Sequence, residues 1–511
     1  MREHRDKDLK QKNSSSEQIR LAKLSLNLAE NKCAIQNIFI DCYDIKYQSY
    51  QFSKDYSIHA LSVFCDTIVQ KEKANLLKGV LQDLVTSEVG PATEIDLECV
   101  KTFFMKNGVS FRSVNIVNTL GDISEKVLEG HVIILFDHWN KALTIDAYEV
   151  DKRPVGEPQY EVSILGPREG TNENLSTNLG LIRSRLKTSN LKIHAKVIGN
   201  ETKSKVVYAY LNGTVPRDTL KQFRERFLQI NNEELFDTSY LAELMEDSTY
   251  SPFPQYRSTE RPDVAVANLY EGKIILLMEG SPTIIICPGL FIEFFQTPSD
   301  YYERTVFSSL IRMLRICGYL ISLTLPAIYI ALSTFHTELI PTVLLLAILD
   351  TREGIPFPSL VEALIMIFFF ELLQEAGLRL PKPIGSAVSI VGAIIIGEAS
   401  INAGIASPIM VVVIALTGIA SFTIPQYSMG TSARLLRIPL MLIASILGGF
   451  GLMIGFILIY LHLICLRSLG QPYMATIDPM RPDIIYEFFT RAPLKFQIKK
   501  QENTHIKSKQ E

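Results

Sequence analysis

The sequence predicts an α/β soluble N-terminal region with two subdomains, followed by an α-helical membrane domain that spans the bilayer several times. Up to about Arg315, charged residues and turns are spread along the chain. Residues 316–466 instead form long apolar stretches separated by short loops that contain Pro and Gly. A helix needs roughly 20 apolar residues to cross a bilayer, and several of these stretches are long enough. The function must therefore involve both parts.

The overall composition averages over these two parts and excludes one class of function. Of the 511 residues, 47% are apolar and 21% are charged, as in an ordinary globular protein. The formal net charge of −3 gives no sign of the basic surface that nucleic-acid-binding proteins carry, so we exclude that class. The seven cysteines are scattered and form no C-x-x-C motif, so the sequence predicts neither a disulfide framework nor a metal site.

The first half of the chain is predicted to be a cytosolic domain. Residues 1–34 are polar and charged, so we expect a disordered leader without a cleavable signal peptide. Residues 35–250 alternate β-rich and helical stretches, with a break between two subdomains near residue 130. The predicted strands are 58–64, 131–136, 142–146 and 205–211, and the predicted helices are 71–84 and 217–229. Motifs for nucleotide binding and hydrolysis are absent, so we expect a binding or relay module, with no enzyme activity and no cofactor.

Residues 251–315 are predicted to connect the two parts. The stretch 251–262 contains too many prolines to form a helix or a central strand, so it is predicted to be a linker. A pair of strands is predicted after it, at 263–270 and 273–278, because a Glu-Gly turn separates these two apolar runs.

The end of this connection is predicted to approach the membrane. The run 284–295 is apolar but short, and Pro288-Gly289 interrupts it, so it is predicted to be a re-entrant or membrane-surface element. Thr297 and Asp300 then form a capping pattern at a helix start. The helix that follows mixes aromatic, aliphatic and arginine side chains, which favours a position at the membrane interface.

The membrane domain, residues 316–466, contains five or six apolar segments, and a polar, basic tail follows at 467–511. The approximate bounds of the segments are 316–334, 339–349, 360–376, 384–405, 408–424 and 439–465. The second segment is too short to span the bilayer unless it is tilted or re-entrant. The distribution of positive charges does not settle which loops face the cytosol. A hairpin at Gly448 to Gly451 within the last segment would resolve the topology, and the number of spans stays open.

Four acids lie within these apolar segments and are the chemical centre of the prediction. A charge at bilayer depth costs at least about 2.5–3.5 kcal/mol on insertion scales, so it normally faces a protein interior or a water-filled path. Glu362, Glu371, Glu375 and Glu398, together with Asn402, are therefore the candidates for a pore or a gate. Glu371 and Glu375 are four residues apart and share one face of a helix.

Each candidate also has a structural interpretation. Glu362 follows Ser359 at the spacing of a capping box, and Glu375 is placed to form an ion pair with Arg379. Glu398 precedes Asn402 by one turn, within a cluster of small residues at 397–404. Such a cluster is typical of close helix packing, and it also suits a contact between the subunits of an oligomeric pore.

Several short strings occur in order along most of the chain and carry a family resemblance. They are Gly166-Pro167-Arg168-Glu169-Gly170, Ile182-Arg183-Ser184-Arg185-Leu186, Thr259-Glu260-Arg261-Pro262-Asp263, Tyr301-Tyr302-Glu303-Arg304, His336-Thr337-Glu338-Leu339-Ile340-Pro341, Arg352-Glu353-Gly354-Ile355-Pro356-Phe357-Pro358 and Glu375-Ala376-Gly377-Leu378-Arg379-Leu380-Pro381. Together they resemble the A-subunits of GerA-type spore germinant receptors.

The resemblance implies a function in the inner membrane of a bacterial endospore. There the chain would work with a nutrient-sensing B-type membrane subunit and a C-type lipoprotein subunit, and it would oligomerise into a ligand-gated cation channel whose opening starts germination. One alternative is a secondary transporter of an ion or of the germinant, although the sequence has no internal repeat of the kind that transporters usually show. Another is a non-conducting receptor scaffold in which the acids only form pairs.

Overall fold

The computed structural model describes residues 22–52, 58–70, 114–149, 158, 161, 165–231, 233–380, 392, 394–474 and 490–491. These residues divide into two compact units. The N-terminal unit comprises described residues 22–245 and 258–287, and the helical unit comprises 246–257 and 288–491. The predicted helix 71–84 lies outside the described residues.

In the described residues, the first subdomain of the N-terminal unit is a five-stranded antiparallel sheet with two helices. Its strands are β1 Ile45–Phe52, β2 Ile58–Cys65, β3 Val114–Val117, β4 His131–Phe136 and β5 Ala142–Asp146, and its helices are α1 Leu28–Ile38 and α2 Leu120–Leu128. The strand order is β1-β2-β4-β5-β3, and all neighbours are antiparallel. Every residue of β4 after His131 is buried, because β4 is a central strand against which α2 packs.

The beginning of the chain is more ordered than the sequence predicts. The side chain of Leu24 is buried, and its backbone N–H donates to the carbonyl of Asn118 at 3.1 Å. Asn27 is the N-cap of α1 and accepts a hydrogen bond from the backbone N–H of Ala29. The prediction of a disordered leader up to residue 34 is therefore wrong for residues 22–34.

The second subdomain is another five-stranded sheet with four helices. In chain order its elements are α3 Leu175–Arg185, β6 Leu191–Ile198, β7 Ser204–Leu211, α4 Arg217–Gln229, α5 Thr238–Met245, β8 Arg257–Thr259, α6 Pro262–Tyr270, β9 Ile274–Met278 and β10 Ile284–Cys287. The strand order is β6-β7-β9-β10-β8. Two α/β subdomains are thus confirmed, and the second is completed by strands that follow residue 250.

The division between the subdomains does not lie near residue 130. Gly130 connects α2 to β4 within the first sheet, and the two subdomains separate between β5 and α3. The turn signal at Gly130 is real, because the residue has a φ of 90°, in the left-handed region that glycine adopts most easily. It marks the end of a helix within the subdomain.

Two predicted elements of the connection are also corrected. Residues 263–270 were expected to form a strand, but they form α6, because Pro262 occupies the first helical turn and Ala265, Val266 and Leu269 are buried at helical spacing from it. The apolar run 284–295 does not form one continuous element. Its first residues form β10, which pairs with β9, and the rest is a short 3-10 helix at Phe291–Phe295.

A buried ion pair joins the two subdomains. The guanidinium of Arg183 on α3 donates to both carboxylate oxygens of Asp44, at 2.7 and 2.8 Å, and neither side chain is exposed. A backbone hydrogen bond lies beside this ion pair, because the N–H of Tyr43 donates to the carbonyl of Ile193 on β6 at 3.0 Å. We term these contacts between the two subdomains the joint. Bidentate arginine–carboxylate contacts are strong and directional, so the joint holds the first sheet against the second.

The same joint shields a thiol. The Sγ of Cys65 lies 3.3 Å from Asp44 Oδ2, and burial raises the pKa of the Cys65 thiol. Burial also raises the pKa of nearby Cys42. Because the thiolate is the reactive form, both cysteines are expected to react slowly with thiol reagents at neutral pH, whereas Cys33 is exposed.

The described part of the helical unit contains seven α-helices. They are α7 Ser299–Tyr302, α8 Thr305–Thr334, α9 Thr342–Arg352, α10 Ser359–Arg379, α11 at 394–402, α12 Pro408–Phe422 and α13 Tyr427–Cys465. A two-stranded hairpin follows, formed by β11 Arg467–Ser468 and β12 Gln471–Pro472. By length and composition, two of the described helical segments could cross a membrane: α8 with 30 residues, and α13 with 39 residues, which Gly448 divides into two legs. The larger number of spans stays a prediction.

Helix α13 is folded back on itself at Gly448, within the Gly-rich stretch where the sequence left a hairpin as an open possibility. Gly448 has a φ of 61° and a ψ of −141°, which no helix contains. A Cβ atom built on Gly451 would lie 2.6 Å from the carbonyl oxygen of Ile443, and one built on Gly455 would overlap the side chain of Leu440. Residues on either side of Gly448 are therefore neighbours, and the glycines allow the two legs, 427–447 and 449–465, to approach closely.

The start of α8 contains a buried charge network. Arg315 Nη1 donates to both oxygens of Asp300, at 2.8 and 2.9 Å, and Arg312 Nη2 lies 3.4 Å from Asp300 Oδ2. Asp300 also accepts hydrogen bonds from the backbone N–H and the hydroxyl of Thr297, so the two residues of the predicted capping pattern are in contact. The N-cap position itself is occupied by Pro298, without a side-chain capping bond. However, the helix that it opens, α7, ends at Tyr302, and α8 begins separately.

We predict that the joint between the two subdomains depends on Arg183. Replacing Arg183 with Met leaves the carboxylate of Asp44 buried without its partner, which should lower the free energy of unfolding by about 3–5 kcal/mol. It should also speed the modification of Cys65 by maleimide. The measurements are denaturant unfolding and mass-spectrometric labelling of the full chain in detergent.

Arg185→Met is the matched control, because Arg185 lies on the same helix and pairs with Glu169 in a partly exposed contact. Exposed pairs contribute roughly 0–1 kcal/mol, so this variant should resemble the unchanged protein. Equal unfolding and equal labelling of Cys65 in the two variants would contradict the assignment.

Candidate functional site

Glu362 is the most deeply buried of the candidate acids, with 1% of the residue exposed. Its Oε2 accepts a hydrogen bond from the backbone N–H of Ser407 at 3.1 Å, and its Oε1 lies 3.2 Å from Arg352 Nη2. Ser407 is the N-cap of α12, and its own side chain accepts from the N–H of Met410. Glu362 thus connects the start of α10 with the end of α9 and the start of α12.

The predicted capping box at Ser359 is not formed. The start of α10 has no side-chain capping bond, and the hydroxyl of Ser359 lies 3.2 Å from that of Ser333 on α8. Glu362 satisfies the N-terminus of a different helix, because the packing of α10 against α12 brings Ser407 within its reach. The prediction of a capping box at Ser359 is therefore wrong, and Glu362 instead accepts a hydrogen bond at the start of α12.

Glu371 faces a cluster of arginines on the first leg of α13. Its Oε2 lies 3.3 Å from Arg434 Nη1, and Glu371 is partly exposed. Three residues further on, Arg437 is buried with 1% exposure. Its Nε and Nη2 donate to the carbonyl and the hydroxyl of Ser322 on α8, at 2.8 and 3.0 Å. Ser322 is about 26 Å from the start of α8 at about 1.5 Å per residue, so the buried Arg437 contacts the middle part of that helix.

Glu375 forms the ion pair that was the alternative to a pore-lining role. Its Oε1 lies 2.6 Å from Arg379 Nη2, one turn later on α10. Both side chains are more than half exposed. The charge of Glu375 is therefore compensated within its own helix, at the end of α10.

Glu398 and Asn402 differ from the other candidates. Both residues lie on α11 and both are exposed. Within the described part of the chain, Glu398 has no ion pair. Among the described residues, a Cβ atom built on neighbouring Gly397 would meet Val411 at an ordinary 3.8 Å, so packing within the described part of the chain does not require this glycine. The small-residue cluster at 397–404 therefore faces outward from the chain at Glu398 and Asn402.

The structure thus brings some candidates together and separates others. Glu371 and Glu375 share one exposed face of α10, Glu362 is enclosed on another, and Glu398 lies on α11 with Asn402. No group of three or more His, Cys, Asp or Glu residues that could hold a metal ion occurs among the described residues.

The comparison with known proteins identifies the family. Residues 33–503 match the model described as Bacillus/Clostridium GerA spore germination protein. The chain belongs to the GerA family. It is 41% identical over 368 residues to Spore germination protein KA of Bacillus subtilis (strain 168), which covers 72% of this chain and 68% of that protein. It is 36% identical over 422 residues to Spore germination protein GerLA of Bacillus cereus, with 83% and 85% covered.

Two further similarities extend along the GerA chain. A protein of Bacillus subtilis (strain 168) named Uncharacterized membrane protein YfkQ is 39% identical over 472 residues, which are 92% of this chain and 90% of that one. The crystal structure of the N-terminal domain of the A subunit of the Bacillus megaterium spore germinant receptor GerK3 matches 54% of this chain and 99% of its own. That match has 25% identity and a TM-score of 0.41. The family model and the identities to Spore germination proteins KA and GerLA confirm the resemblance inferred from the sequence.

Sequence reasoning missed the partners of the acids in this GerA chain. Arg352, Arg434 and Ser407 contact the candidate acids, yet each is distant from its partner in sequence. Arg437 was missed as a site residue, although an arginine inside an apolar helix is itself a signal of a polar contact. Its partner, Ser322, could not be predicted from the sequence, because the two residues meet only through the packing of α13 on α8.

We predict that Glu362 has a structural role that the other acids lack. Glu362→Ala removes the acceptor for Ser407 and leaves Arg352 without its partner, so it should lower the free energy of unfolding by about 3 kcal/mol. Glu375→Ala is the control, and it should cost less than about 1 kcal/mol because that pair is exposed. Thermal unfolding of both variants in the same detergent provides the comparison. If Glu375→Ala proves equally destabilising, Glu362 does not hold the three helices together.

Proposed function

We propose that this chain is the membrane subunit of a nutrient germinant receptor in the inner membrane of the spore, and that it oligomerises into a ligand-gated cation channel. The N-terminal unit would lie in the cytosol, and a B-type nutrient-sensing subunit and a C-type lipoprotein would complete the receptor. Membership of the GerA family and the names of its relatives support the process. Two apolar helices of spanning length support a place in the membrane.

The observation that carries the channel proposal is the exposure of Glu398. Glu362, Glu371 and Glu375 each have an arginine partner within the chain, whereas Glu398 is exposed on an apolar unit without one among the described residues. An ionised group facing lipid is costly, so Glu398 needs water, an ion or another chain beside it. In an oligomer around an axis, one carboxylate from each copy would form a ring of the kind that attracts cations.

Asn402 and the small residues around Glu398 fit the same arrangement. Asn402 lies one turn from Glu398 and offers a neutral oxygen and a donor group beside the carboxylate. Ala403 is exposed as well, and small exposed side chains allow helices of neighbouring copies to approach. The absence of an enzymatic motif in the N-terminal region agrees with a role in binding or relay.

A non-conducting scaffold remains the second candidate, because one observation favours it. The ion pairs of Glu371 with Arg434 and of Glu375 with Arg379 show that two of the proposed pore acids have structural partners. If Glu398 were paired in the same way across an interface between copies, the acids would serve assembly alone. The two functions differ in conductance, which can be measured.

We predict that Glu398→Gln lowers the cation selectivity of the reconstituted receptor. The change preserves the shape of the side chain and removes its charge, so the permeability ratio of K⁺ to Cl⁻ should fall by about threefold or more. The measurement is the reversal potential in a planar bilayer under a KCl gradient. Glu375→Gln is the control, because Arg379 already compensates Glu375. Unchanged selectivity in a fully assembled Glu398→Gln receptor would exclude this acid from the ion path.

We also predict that Ala403→Leu reduces assembly without unfolding the chain. Ala403 is exposed, so a larger side chain is tolerated within one copy but would separate helices at a contact between copies. Native mass spectrometry should show a loss of oligomer of about tenfold, the effect of roughly 1.4 kcal/mol. Ala347→Leu on α9, also at an exposed alanine, should leave the oligomer intact. Equal oligomer in both variants would place the contact elsewhere.

A further inference from the structure

The Pro-rich connection is not a free linker. Residues 246–257, which we term the junction segment, belong to the helical unit, although the residues before and after them belong to the N-terminal unit. The segment therefore leaves the N-terminal unit directly after α5, packs as part of the helical unit, and returns at β8. Its burial corrects the prediction of a linker at 251–262, since Phe253 is 2% exposed and Gln255 is fully buried.

Gln255 closes the junction segment on itself. Its side-chain Oε1 accepts hydrogen bonds from the backbone N–H groups of Asp247 and Ser248, at 2.7 and 3.3 Å. Its Nε2 donates to the carbonyl of Ser248 at 2.7 Å. One buried amide thus satisfies three backbone groups of the same loop, which gives the segment a defined shape without a helix or a strand.

The helical unit binds the carbonyl groups of the junction segment through hydroxyl groups. Proline has no N–H, so a Pro-rich backbone offers acceptors and a restricted φ. Three side chains donate to these acceptors: Ser432 on α13 to Pro252, Tyr473 after β12 to Pro254 at 2.7 Å, and Ser468 on β11 to Gln255 at 2.7 Å. The segment is therefore held along its length by residues of the membrane part.

Aromatic packing fixes the centre of the segment. The ring of Phe253 lies 5.9 Å from that of His462, 6.4 Å from that of Phe291 and 6.5 Å from that of Tyr473. Beside it, the hydroxyl of Ser251 lies 2.8 Å from His462 Nε2. Buried aromatic contacts of this kind add to the hydrogen bonds and resist sliding of the segment.

The contacts reach both legs of the α13 hairpin. Ser432 lies on the first leg and His462 on the second, 30 residues apart in sequence, which in one straight helix would be about 45 Å. The hairpin at Gly448 brings them to adjacent residues of the junction segment, Pro252 and Ser251. The segment therefore bridges the two legs at the open end of the hairpin.

The first leg continues directly to the charged contacts of the candidate site. Arg434 follows Ser432 by two residues and pairs with Glu371 on α10, and Arg437 binds Ser322 on α8. At the closed end of the hairpin, the backbone N–H of Gly449 donates to Nε2 of His336 at 3.0 Å. His336 follows the last residue of α8 by two positions. A shift of the first leg must therefore change contacts to α8 and α10.

We propose that the junction segment is the coupling element through which a displacement of α5 in the N-terminal unit repositions the α13 hairpin. This proposal rests on the proposed receptor function, because it names the connection between signal and gate. Ser432, Ser468 and Tyr473 are positioning residues that hold the segment, and none of them needs to touch an ion. A free linker would absorb such a displacement, whereas a segment held at successive carbonyl groups transmits it.

The test removes the hydroxyl donors and leaves the aromatic anchor. The double variant Ser468→Ala with Tyr473→Phe loses two contacts to the junction segment without creating a large cavity, which Phe253→Ala would create. The matched control is Ser445→Ala with Tyr460→Phe, since both residues lie on α13, where Ser445 is partly exposed and Tyr460 is exposed. The unchanged protein, the double variant and the control variant are each studied as the full-length chain in liposomes of phosphatidylglycerol and phosphatidylethanolamine.

The first measurement is hydrogen exchange. A displacement is introduced with Met245→Ala at the buried end of α5, and exchange is followed in the peptide that contains the last turn of α13. In the unchanged and control backgrounds, Met245→Ala should alter exchange there. In the double variant this response should fall by at least about threefold. Equal responses in all backgrounds would overturn the coupling proposal.

The second measurement uses spores in which this receptor acts alone, with nutrient broth as the trigger. The double variant should need an about tenfold higher broth concentration for half-maximal loss of refractility, which corresponds to about 1.4 kcal/mol of lost coupling. If the liposomes conduct no ions but the exchange response is lost in the double variant, the channel proposal fails and the coupling stands. If the liposomes conduct and both responses match the control, the coupling proposal fails and the channel stands.

Discussion

Burying an ionised side chain costs several kcal/mol unless an opposite charge and hydrogen bonds replace the lost water, and this cost shapes both units of the protein. In the N-terminal unit, Arg183 binds Asp44 at the joint of two sheets. At the start of α8, Arg315 binds Asp300, and deeper in the helical unit Arg352 lies beside Glu362. In each case the two charges come from different elements, so the pair forms only when those elements are placed correctly.

The parts of the fold that sequence could predict are those with a strong local signal. The strands at 131–136, 142–146 and 205–211 and the helix at 217–229 are present, since their apolar periodicity agrees with their burial. Residues 263–270 were misassigned because an apolar run of this length fits a strand or a helix equally well. What decided the outcome was the packing of α6 against α3, together with Pro262 at its start.

The candidate site was predictable as a set of residues but not as a set of contacts. The cost of a charge in an apolar segment was enough to single out Glu362, Glu371, Glu375 and Glu398. Only the pair of Glu375 with Arg379 could be foreseen, because its partner lies one turn away on the same helix. The partners of Glu362 and Glu371 lie on other helices, and no local rule connects residues 362 and 407 or 371 and 434.

The distribution of partners among these acids has a consequence for how the chain exists in a membrane. A monomer that satisfied every charge internally would need no neighbour in the apolar phase. In the described residues, Glu362 and Glu371 are satisfied by arginines of the same chain, whereas Glu398 and Asn402 remain exposed on α11. The same cost that builds the interior of the helical unit therefore acts on its surface. This cost would favour a state in which α11 faces water or another polar chain, and the oligomeric channel that we propose would meet that condition for every copy.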